Sequence, residues 1–314
     1  MADFDIVIVN WNAGNKLFEC LDSIRGSNVD SSFCLVKCII VDNASRDGSL
    51  ENIKDMGLPI ELIVNTENKG FGFASNQGAK NGHSQYILFL NPDVRLFPDS
   101  LSKSVSFMES PDNKQIGVLG IQMVDENGTV HHNVARFPSP KSLFYQMFGL
   151  DRLWPKRFPP HFMTDWNYTE SRVIDQVPGA FFLVRRSLFK DLNGFDERFF
   201  MYFEDLDFAY RARMGGWVNY YLSNVKAFHH GGGTTNQVRA LRLFYMLRSR
   251  VYYVAKHFGF YHALWIVIAS LVIEIWVRLG WSLINWSGRN FLETLQAYFL
   301  YIKELPALMK KIKE

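Results

Sequence analysis

The chain has 314 residues, of which 48% are hydrophobic and 21% charged, and its formal net charge at pH 7 is +3. This composition excludes a disordered or fibrous chain, and the length allows one large α/β domain with an appendage. The charge excess is too small to indicate nucleic-acid binding. Cys20, Cys34 and Cys38 lack metal-site spacing, so we expect reduced core thiols in a cytosolic protein. Because the N-terminus shows no basic region followed by a cleavable apolar segment, we do not expect secretion.

Short apolar runs alternate with helical stretches through the first half of the chain, which is typical of βαβ units and a mostly parallel sheet. Strands are predicted at residues 6–9, 35–41, 60–64, 86–90 and 178–186. Helices are predicted around residues 16–25, after Ser49 as a capping residue, from Gly70 and Gly72, from about Pro98, and at residues 203–216. Residues 138–175 are rich in proline and aromatic side chains, which predicts a long functional or mobile loop.

The strand at residues 86–90 runs directly into Asn91, Pro92 and Asp93. Proline lacks a backbone donor and has a fixed φ, so the strand should end there with Asp93 on a stiff turn. Ligands bind at the carboxyl ends of strands in parallel sheets. A rigid acid at this position suits a metal-bound phosphate, although a lone Asn-Pro-Asp turn can also simply cap the following helix.

Further acids and imidazoles occur at predicted strand ends and helix starts: Asp42, Glu204, Asp205, His229 and His230. Each one alone has an ordinary explanation, as a turn former, a favourable charge at a helix N-terminus or a buried histidine. Asp207 precedes Arg211 by four residues, which predicts an ion pair on a helix surface.

In this order on an α/β scaffold, the motifs resemble the family 2 inverting glycosyltransferases of the GT-A fold, particularly bacterial rhamnosyltransferases. The resemblance covers about the first 250 residues. It rests on the segments VIVNWN at 7–12, IVDNASRDGS at 40–49, NKGFG at 68–72, FLNPD at 89–93, GFDE at 194–197, FEDLD at 203–207 and HHGGG at 229–233.

The resemblance implies a GT-A nucleotide-diphospho-sugar transferase domain at residues 1–250, with a mostly parallel central sheet flanked by helices. It implies an inverting glycosyltransferase that moves a sugar to a glycan or lipid-linked oligosaccharide acceptor in bacterial surface polysaccharide synthesis. We expect the sugar to be L-rhamnose and the donor dTDP-β-L-rhamnose.

Three alternatives remain open. The first is a galactofuranosyl- or N-acetylglucosaminyltransferase with a UDP donor. The second is a non-catalytic glycan- or nucleotide-binding subunit, suggested by Asn91 where the family often has a second acid. The third is a nucleotidyltransferase, but residues 10–15 do not resemble the basic glycine-rich loop that such enzymes usually carry.

The resemblance also implies site residues. Asp93 and one of His229 and His230, preferably His229, would bind Mn²⁺ or Mg²⁺ at the donor diphosphate. Asp205 resembles the catalytic base, and Glu204 would raise its proton affinity or orient the acceptor. Asp42 would accept a hydrogen bond from the imide N–H of thymine or uracil. The expected nucleotide-sugar pocket consists of Asn10, Asn12, Asp42, Gly70, Gly72, Asn76, Asn91 and Arg248.

Arg248 belongs to a basic stretch with Arg239, Arg242 and Arg250. These arginines could fold over the donor diphosphate or contact anionic lipid head groups. Arg239 and Arg242 share one face at helical spacing, for which a merely solvated face is the simpler interpretation.

Residues 251–314 are predicted to form an amphipathic helical region. Residues 264–273 are nearly all apolar, but Glu274 and Arg278 interrupt the run, which is shorter than the roughly 20 residues of a spanning helix. With several tryptophans nearby, the region is expected to lie in a membrane interface or to form an oligomer contact. Packing on its own domain is the alternative. We therefore expect a cytoplasmic protein, peripheral to the inner face of the cell membrane and possibly a homo-oligomer.

Overall fold

The computed structural model describes residues 2–27, 33–51, 53, 56–229, 231 and 239–313. The chain forms two compact units, the first of residues 1–136, 162–197 and 204–234, the second of residues 137–161, 198–203 and 235–314. The second unit thus groups residues 239–250 with the C-terminal region. A functional division at residue 250 stays a prediction.

The first unit is built on a sheet that has nine strands among the described residues. The strands are β1 (Ala2–Asn10), β2 (Phe33–Asp42), β3 (Ile60–Val64), β4 (Tyr86–Leu90), β5 (Val94–Leu96), β6 (Ile116–Val124), β7 (Arg172–Ile174), β8 (Phe181–Arg185) and β9 (Val218–His229). Their order is β3-β2-β1-β4-β8-β6-β9-β5, and β7 pairs with β9.

The helices divide between the two units. The first unit contains α1 (Asn15–Ser27), α2 (Phe71–Lys80), α3 (Ser100–Glu109), a 3₁₀ turn (Pro111–Asn113), α6 (Arg186–Asp191) and α7 (Glu204–Met214). The second unit contains α4 (Pro140–Met147), α5 (Leu150–Leu153), α8 (Arg239–Phe258), α9 (Phe260–Ala269), a π-helical turn (Ser270–Glu274), α10 (Ile275–Ile284) and α11 (Gly288–Lys313).

Strands β1 to β4 are parallel to one another, as predicted. Later strands pair in both directions: β8 is antiparallel to β4 and β6, whereas β9 is parallel to β6 and antiparallel to β5 and β7. The sheet as a whole is therefore mixed. Because alternate strand residues point to opposite faces, Ile6 and Ile8 enter one buried cluster and Val7 and Val9 enter the other. The carboxyl ends of β1, β2 and β4 lie at one edge of the sheet.

The helix predicted after Ser49 is absent from the described part of residues 43–59. Asp47 instead accepts hydrogen bonds from the backbone amides of Gly14 (2.7 Å) and Ser49 (3.1 Å). The Ser49 hydroxyl accepts from the Asn10 amide rather than capping a helix. Side-chain bonds to nearby backbone compete with helix formation in this way.

The remaining corrections are local. Cys20 and Cys38 are buried as predicted, and burial raises the pKa of both thiols, that of Cys38 to about 12. Cys34 is exposed and is not a core residue. Residues 138–175 contain helices α4 and α5 and strand β7, so this segment is more ordered than its composition predicts.

In the second unit, the stretch Phe260–Ile284 forms 25 continuous helical residues. Among the described residues it is the one helix that is long and apolar enough to cross a membrane by length and composition alone, a test that core helices of soluble proteins also pass. Glu274, which breaks the apolar run in the sequence, is buried and accepts hydrogen bonds from Arg250 (2.5 Å) and Arg278 (2.9 Å). Burial would raise the pKa of Glu274, but the charges of the two arginines lower it to about 2.

Replacing Glu274 by Gln should destabilise the protein, because it leaves Arg250 buried without its counter-charge. We expect the free energy of unfolding to fall by about 3–5 kcal/mol at pH 7. The folded-state pKa is depressed from the ordinary 4.5 to about 2, so the ionised carboxylate stabilises fully above 4.5 and loses this effect as the pH falls toward 2. Urea titrations at pH 7 and pH 3 should show a smaller difference between variant and wild type at pH 3.

The control is Arg289→Gln, which breaks the ion pair of an exposed arginine with Glu293. Exposed pairs contribute less than about 1 kcal/mol. Equal losses for Glu274→Gln and Arg289→Gln would contradict the assigned importance of the buried network.

Candidate active site

Asn10 and Asp42 lie side by side at the carboxyl ends of β1 and β2. The Asn10 side-chain amide donates hydrogen bonds to Asp42 Oδ1 (2.7 Å) and Ser49 Oγ (2.8 Å), and the Ser45 backbone amide donates to Asp42 Oδ2 (3.0 Å). Asp42 is thus buried with both oxygens already bonded. A carboxylate has about four acceptor positions, so Asp42 retains capacity for another donor.

The loops after β1 and β2 are held together by further polar contacts. The Asn12 backbone amide donates to Ser45 Oγ (2.9 Å), and the Arg46 amide donates to Asn12 Oδ1 (2.8 Å). Asn12 has φ of +50° and Ala44 of +63°. Asparagine tolerates this left-handed region better than most residues, which suits it to the turn after β1.

Gly70 is held next to this network. The Asn43 side-chain amide, one residue after Asp42, donates to the Gly70 carbonyl (3.1 Å). Gly70 has φ of +88°, a conformation that favours glycine, and it precedes α2, whose first turn contains the buried Gly72. The structure therefore brings together Asn10, Asn12, Asp42 and Gly70, as predicted for one pocket, while their contact with a nucleotide stays a prediction.

Asn76 has a different environment from the other predicted pocket residues. Its amide nitrogen donates to the Phe195 carbonyl (2.8 Å) and Glu197 Oε1 (2.9 Å), and its oxygen accepts from the Phe195 amide (2.9 Å). These bonds fix the Phe195–Glu197 turn on α2 and use both amide hydrogens. A structural role explains Asn76, and its proposed contact with the nucleotide remains untested.

Asp93 and His229 meet where β5 pairs with β9. Val94, after Asp93, is the register partner of His229, and Asp93 Oδ1 lies 3.4 Å from His229 Nε2. This separation is longer than an ordinary hydrogen bond and close to the spacing of about 3 Å between neighbouring ligands of an octahedral ion. The structure thus brings the two predicted metal ligands together, while their binding of a metal ion stays a prediction.

These two side chains fit a divalent cation as a partial ligand set. His229 Nδ1 is buried without a hydrogen-bond partner among the described residues. The His131 ring lies 5.9 Å from that of His229, and burial, followed by the nearby His229, lowers the pKa of His131. No group of three or more His, Cys, Asp or Glu side chains suited to a metal occurs in the described part of the chain. Diphosphate oxygens and water would have to complete the shell, as is usual for Mg²⁺.

Glu204 and Asp205 open α7. Asp205 Oδ2 accepts hydrogen bonds from the Gly179 backbone amide (2.9 Å) and the Gln176 side chain (3.2 Å), and Oδ1 accepts from the Leu206 amide (2.8 Å). Glu204 is buried, and its Oε2 has no partner among the described residues.

This difference in hydrogen bonding separates the two acids. Burial raises the pKa of Glu204 well above its ordinary value, and the charge of Asp205 adds to the effect. Burial also raises the pKa of Asp205, but its three hydrogen bonds favour the ionised form. Glu204 is therefore the acid that holds a proton more readily, and the role of Asp205 as the catalytic base stays a prediction.

A short backbone path joins these acids to Asp93. The Asn91 amide donates to the Ala180 carbonyl (3.0 Å), and the neighbouring Gly179 amide donates to Asp205. A Cβ atom on Gly179 would lie 3.3 Å from Asp205 Oδ2, so glycine permits this close approach. Sequence reasoning missed Gln176, Gly179 and His131. Only Gly179 gave a signal, as part of a Pro-Gly pair at the start of the strand predicted at residues 178–186.

Three other predictions concern residues outside this cluster. Arg248 belongs to the second unit, where it bonds Glu304 (3.0 Å), and its role in donor binding stays a prediction. His230 lies outside the described residues. Asp207 pairs with Arg211 (2.8 Å) as predicted, but the Asp207 side chain is buried rather than on the helix surface, because Arg211 also bonds the carbonyls of residues 192 and 194.

Comparison with known proteins identifies the class. Residues 5–192 match the model of glycosyl transferase family 2, which is more than half of the chain, so the protein belongs to this family. Its central sheet flanked by helices is the GT-A fold, and the chain is a hexosyltransferase enzyme.

Two relatives of this chain are named as rhamnosyltransferases. The chain is 26% identical to N-acetylglucosaminyl-diphospho-decaprenol L-rhamnosyltransferase of Mycobacterium tuberculosis, over 86% of this chain and 90% of that protein. It is 28% identical to rhamnosyltransferase WbbL of Escherichia coli, over 60% of this chain and 70% of that protein.

A solved structure supports the fold. The mannosyltransferase PcManGT from Pyrobaculum calidifontis, in complex with GDP-Man and Mn²⁺, matches with a TM-score of 0.57 over 95% of this chain and 86% of that one, at 13% identity. Similarity at this identity establishes the shared fold and does not determine the donor base.

Replacing Asp205 by Asn should reduce sugar transfer by about 10²- to 10⁴-fold, because asparagine keeps the shape but cannot accept a proton. Donor affinity should change little. The raised pKa of Asp205 predicts that wild-type activity falls as the pH drops through a value above the ordinary aspartate pKa. Transfer rates across pH, with donor binding by calorimetry, measure both effects.

Glu204→Gln is the comparison variant. We expect Glu204 to be protonated, so a neutral glutamine resembles it, and this variant should lose less activity than Asp205→Asn. An inactive Glu204→Gln beside a fully active Asp205→Asn would show that the base is Glu204.

Proposed function

We propose that this protein is an inverting rhamnosyltransferase that transfers L-rhamnose from dTDP-β-L-rhamnose to a lipid-linked glycan acceptor during bacterial surface polysaccharide synthesis. The observation that carries the proposal is the path from Asp93 through Asn91, Ala180 and Gly179 to Asp205. It joins a candidate diphosphate-metal position to a candidate base at one edge of the sheet.

The similarity to rhamnosyltransferases supports the choice of sugar, because it extends over 86% of the chain for the Mycobacterium tuberculosis protein. That relative's name specifies a diphospho-decaprenol acceptor, which supports a lipid-linked diphosphate acceptor here. The hydrogen-bond capacity left on Asp42 supports a donor whose base offers an N–H group, such as the imide N–H of thymine.

The chemistry requires two functions from the chain. Asp205 accepts the proton of the acceptor hydroxyl as that oxygen forms its bond to the anomeric carbon, while the bond from this carbon to the diphosphate breaks on the opposite face. Asp93 and His229 would hold Mn²⁺ or Mg²⁺, which when bound neutralises the charge on the departing diphosphate. Glu204, kept neutral, avoids a second negative charge beside the base.

A donor panel tests the function. With a synthetic polyprenyl-diphosphate-N-acetylglucosamine acceptor and Mn²⁺, we expect rhamnosyl product from dTDP-β-L-rhamnose and none from GDP-sugars. Mass spectrometry of the lipid product measures transfer, and release of dTDP gives the rate. Product from UDP-galactofuranose or UDP-N-acetylglucosamine but not from dTDP-rhamnose would establish the other donor class instead.

Asp93→Asn and treatment with EDTA provide the control for the metal. Because a lost metal ligand removes charge stabilisation of several kcal/mol, the variant should be inactive and should bind the donor more weakly. Full activity of Asp93→Asn in EDTA would exclude Asp93 from metal binding.

We also propose that the second unit binds the inner face of the cell membrane. Along α9, the π-turn and α10, one face is apolar and exposed at spacings of three or four residues: Tyr261, Trp265, Ile268, Val272 and Trp276. Helix α11 exposes a second apolar stripe at the same spacing: Leu292, Leu295, Phe299 and Ile302. Exposed aromatic faces with nearby lysines are typical of helices that lie in a membrane interface.

Trp265→Ser combined with Trp276→Ser should abolish sedimentation with phosphatidylglycerol liposomes, because both indoles are 68% exposed and would insert into the interface. Val64→Ser, at a 60% exposed position on β3 in the first unit, is the control and should sediment as the wild type does. If the wild type ignores liposomes and the tryptophan variant instead loses oligomeric mass in analytical ultracentrifugation, the face is a contact between subunits.

A further inference from the structure

The second unit contains a cavity of about 820 Å³ that the catalytic chemistry does not use. Its walls come from α4, α5, α8, α10 and α11, and its lining is predominantly apolar. The volume lies within the range of about 300–1,000 Å³ that is typical of sites for organic ligands. The cavity can therefore enclose a sizeable apolar group.

Three arginines give this apolar cavity a positive charge. Arg152, Arg239 and Arg242 line it and are exposed, and none of them has an acidic partner among the described residues. The charged groups elsewhere in the wall are paired, with Arg278 on Glu274 and Glu293 on Arg289.

Aromatic rings lie beside two of the unpaired guanidinium groups. The Arg152 group lies 5.9 Å from the Trp281 ring, and the Arg242 group lies 5.8 Å from the Tyr202 ring. Stacking of this kind orders an arginine without neutralising it. The guanidinium donors therefore stay available to an anion with several oxygens, such as a diphosphate.

The cavity shares Trp276 with the apolar face that we propose for the membrane. Trp276, Trp281 and Ile284 line the cavity, yet they are 68%, 56% and 71% exposed. An apolar chain embedded in a membrane would therefore meet exposed apolar side chains that belong to the cavity wall. Inorganic phosphate would contact only the arginines and would leave the apolar lining in contact with water. The presence of arginines and an apolar lining in one cavity therefore favours a ligand that has an anionic group and an apolar chain.

We infer that this cavity binds the acceptor lipid, with Arg152, Arg239 and Arg242 on the diphosphate and the apolar lining around the adjoining isoprene units of a polyprenyl chain. The inference rests on the proposed function, because it assigns a place to the lipid-linked acceptor. It also gives the exposed arginines of α8 a role other than a solvated face or a clamp on the donor.

Calorimetry with farnesyl diphosphate, a soluble isoprenoid diphosphate, tests the site on the full chain. We expect the wild type to bind this probe at least about tenfold more tightly than inorganic pyrophosphate or farnesol alone. Arg242→Gln should weaken binding by about tenfold, since it removes charge-assisted hydrogen bonds. Lys303→Gln removes an exposed positive charge of α11 that does not line the cavity, and it should leave binding unchanged.

A second variant blocks the volume without removing charge. Gly280 lines the cavity, and an added Cβ there meets no atom within 4 Å, so Gly280→Leu can project into the space without a clash. This variant should lose farnesyl diphosphate binding. Gly288→Leu is its control, because Gly288 has equally open surroundings but does not line the cavity. Binding of dTDP should be unaffected in all four variants.

The outcomes separate this inference from the proposed function. Pyrophosphate binding as tight as farnesyl diphosphate, or unchanged farnesyl diphosphate binding in Gly280→Leu, would overturn the cavity assignment even if the enzyme transfers rhamnose to a lipid acceptor. If instead the variants lose the probe as expected and the wild type transfers no sugar to any lipid-linked acceptor, the cavity assignment stands as an isoprenoid-diphosphate site and the proposed function fails.

Discussion

The antiparallel pairing of β8 with β4 is the constraint on which the candidate site depends. It continues past the end of β4 as the hydrogen bond from the Asn91 amide to the Ala180 carbonyl. The proline after Asn91 ends β4 at this point, so the chain must turn and present Asp93 next to the same peptide. Gly179, on the other side of Ala180, meets Asp205. One strand pair thus relates a candidate metal ligand to a candidate base that lies 112 positions later in the chain.

The same edge of the sheet shows how a pocket can be rigid before any ligand arrives. Asn10 and Asp42 are bonded to each other, and serine hydroxyls and backbone amides from the following loops complete the network. Because these bonds already order the loops after β1 and β2, ligand binding would not lose free energy to the conformational entropy of ordering them. Because both oxygens of Asp42 already accept hydrogen bonds within the network, only their remaining acceptor positions are available to a ligand.

The helical unit buries an ion pair within its apolar interior and exposes apolar side chains on its surface, and both features depart from the usual distribution. Arg250 and Glu274 form a buried ion pair that links α8 to the π-helical turn, and the partly exposed Arg278 extends it, while tryptophans on the opposite face remain exposed. A buried ion pair adds little net stability compared with apolar packing, but removing one partner is costly. Such a core specifies one packing of helices whose apolar residues could otherwise turn inward. It thereby keeps an apolar face available to a membrane or a lipid.

The sequence by itself determined the elements whose signals are local: the parallel strands β1 to β4, the turn at Asn91-Pro92-Asp93, and a helix that begins with acids at Glu204. Its ordered motifs also identified the family. Only the tertiary structure decided what depends on distant partners. It showed that Gln176 and Gly179 donate hydrogen bonds to Asp205, and that Asn76 binds the Phe195–Glu197 turn. It also showed that Glu274, which interrupts the apolar run in the sequence, is buried and bonded to Arg250 and Arg278. The periodicity of apolar residues indicates which residues are buried. It carries no information about which buried polar groups will meet, because their partners lie far away in the chain.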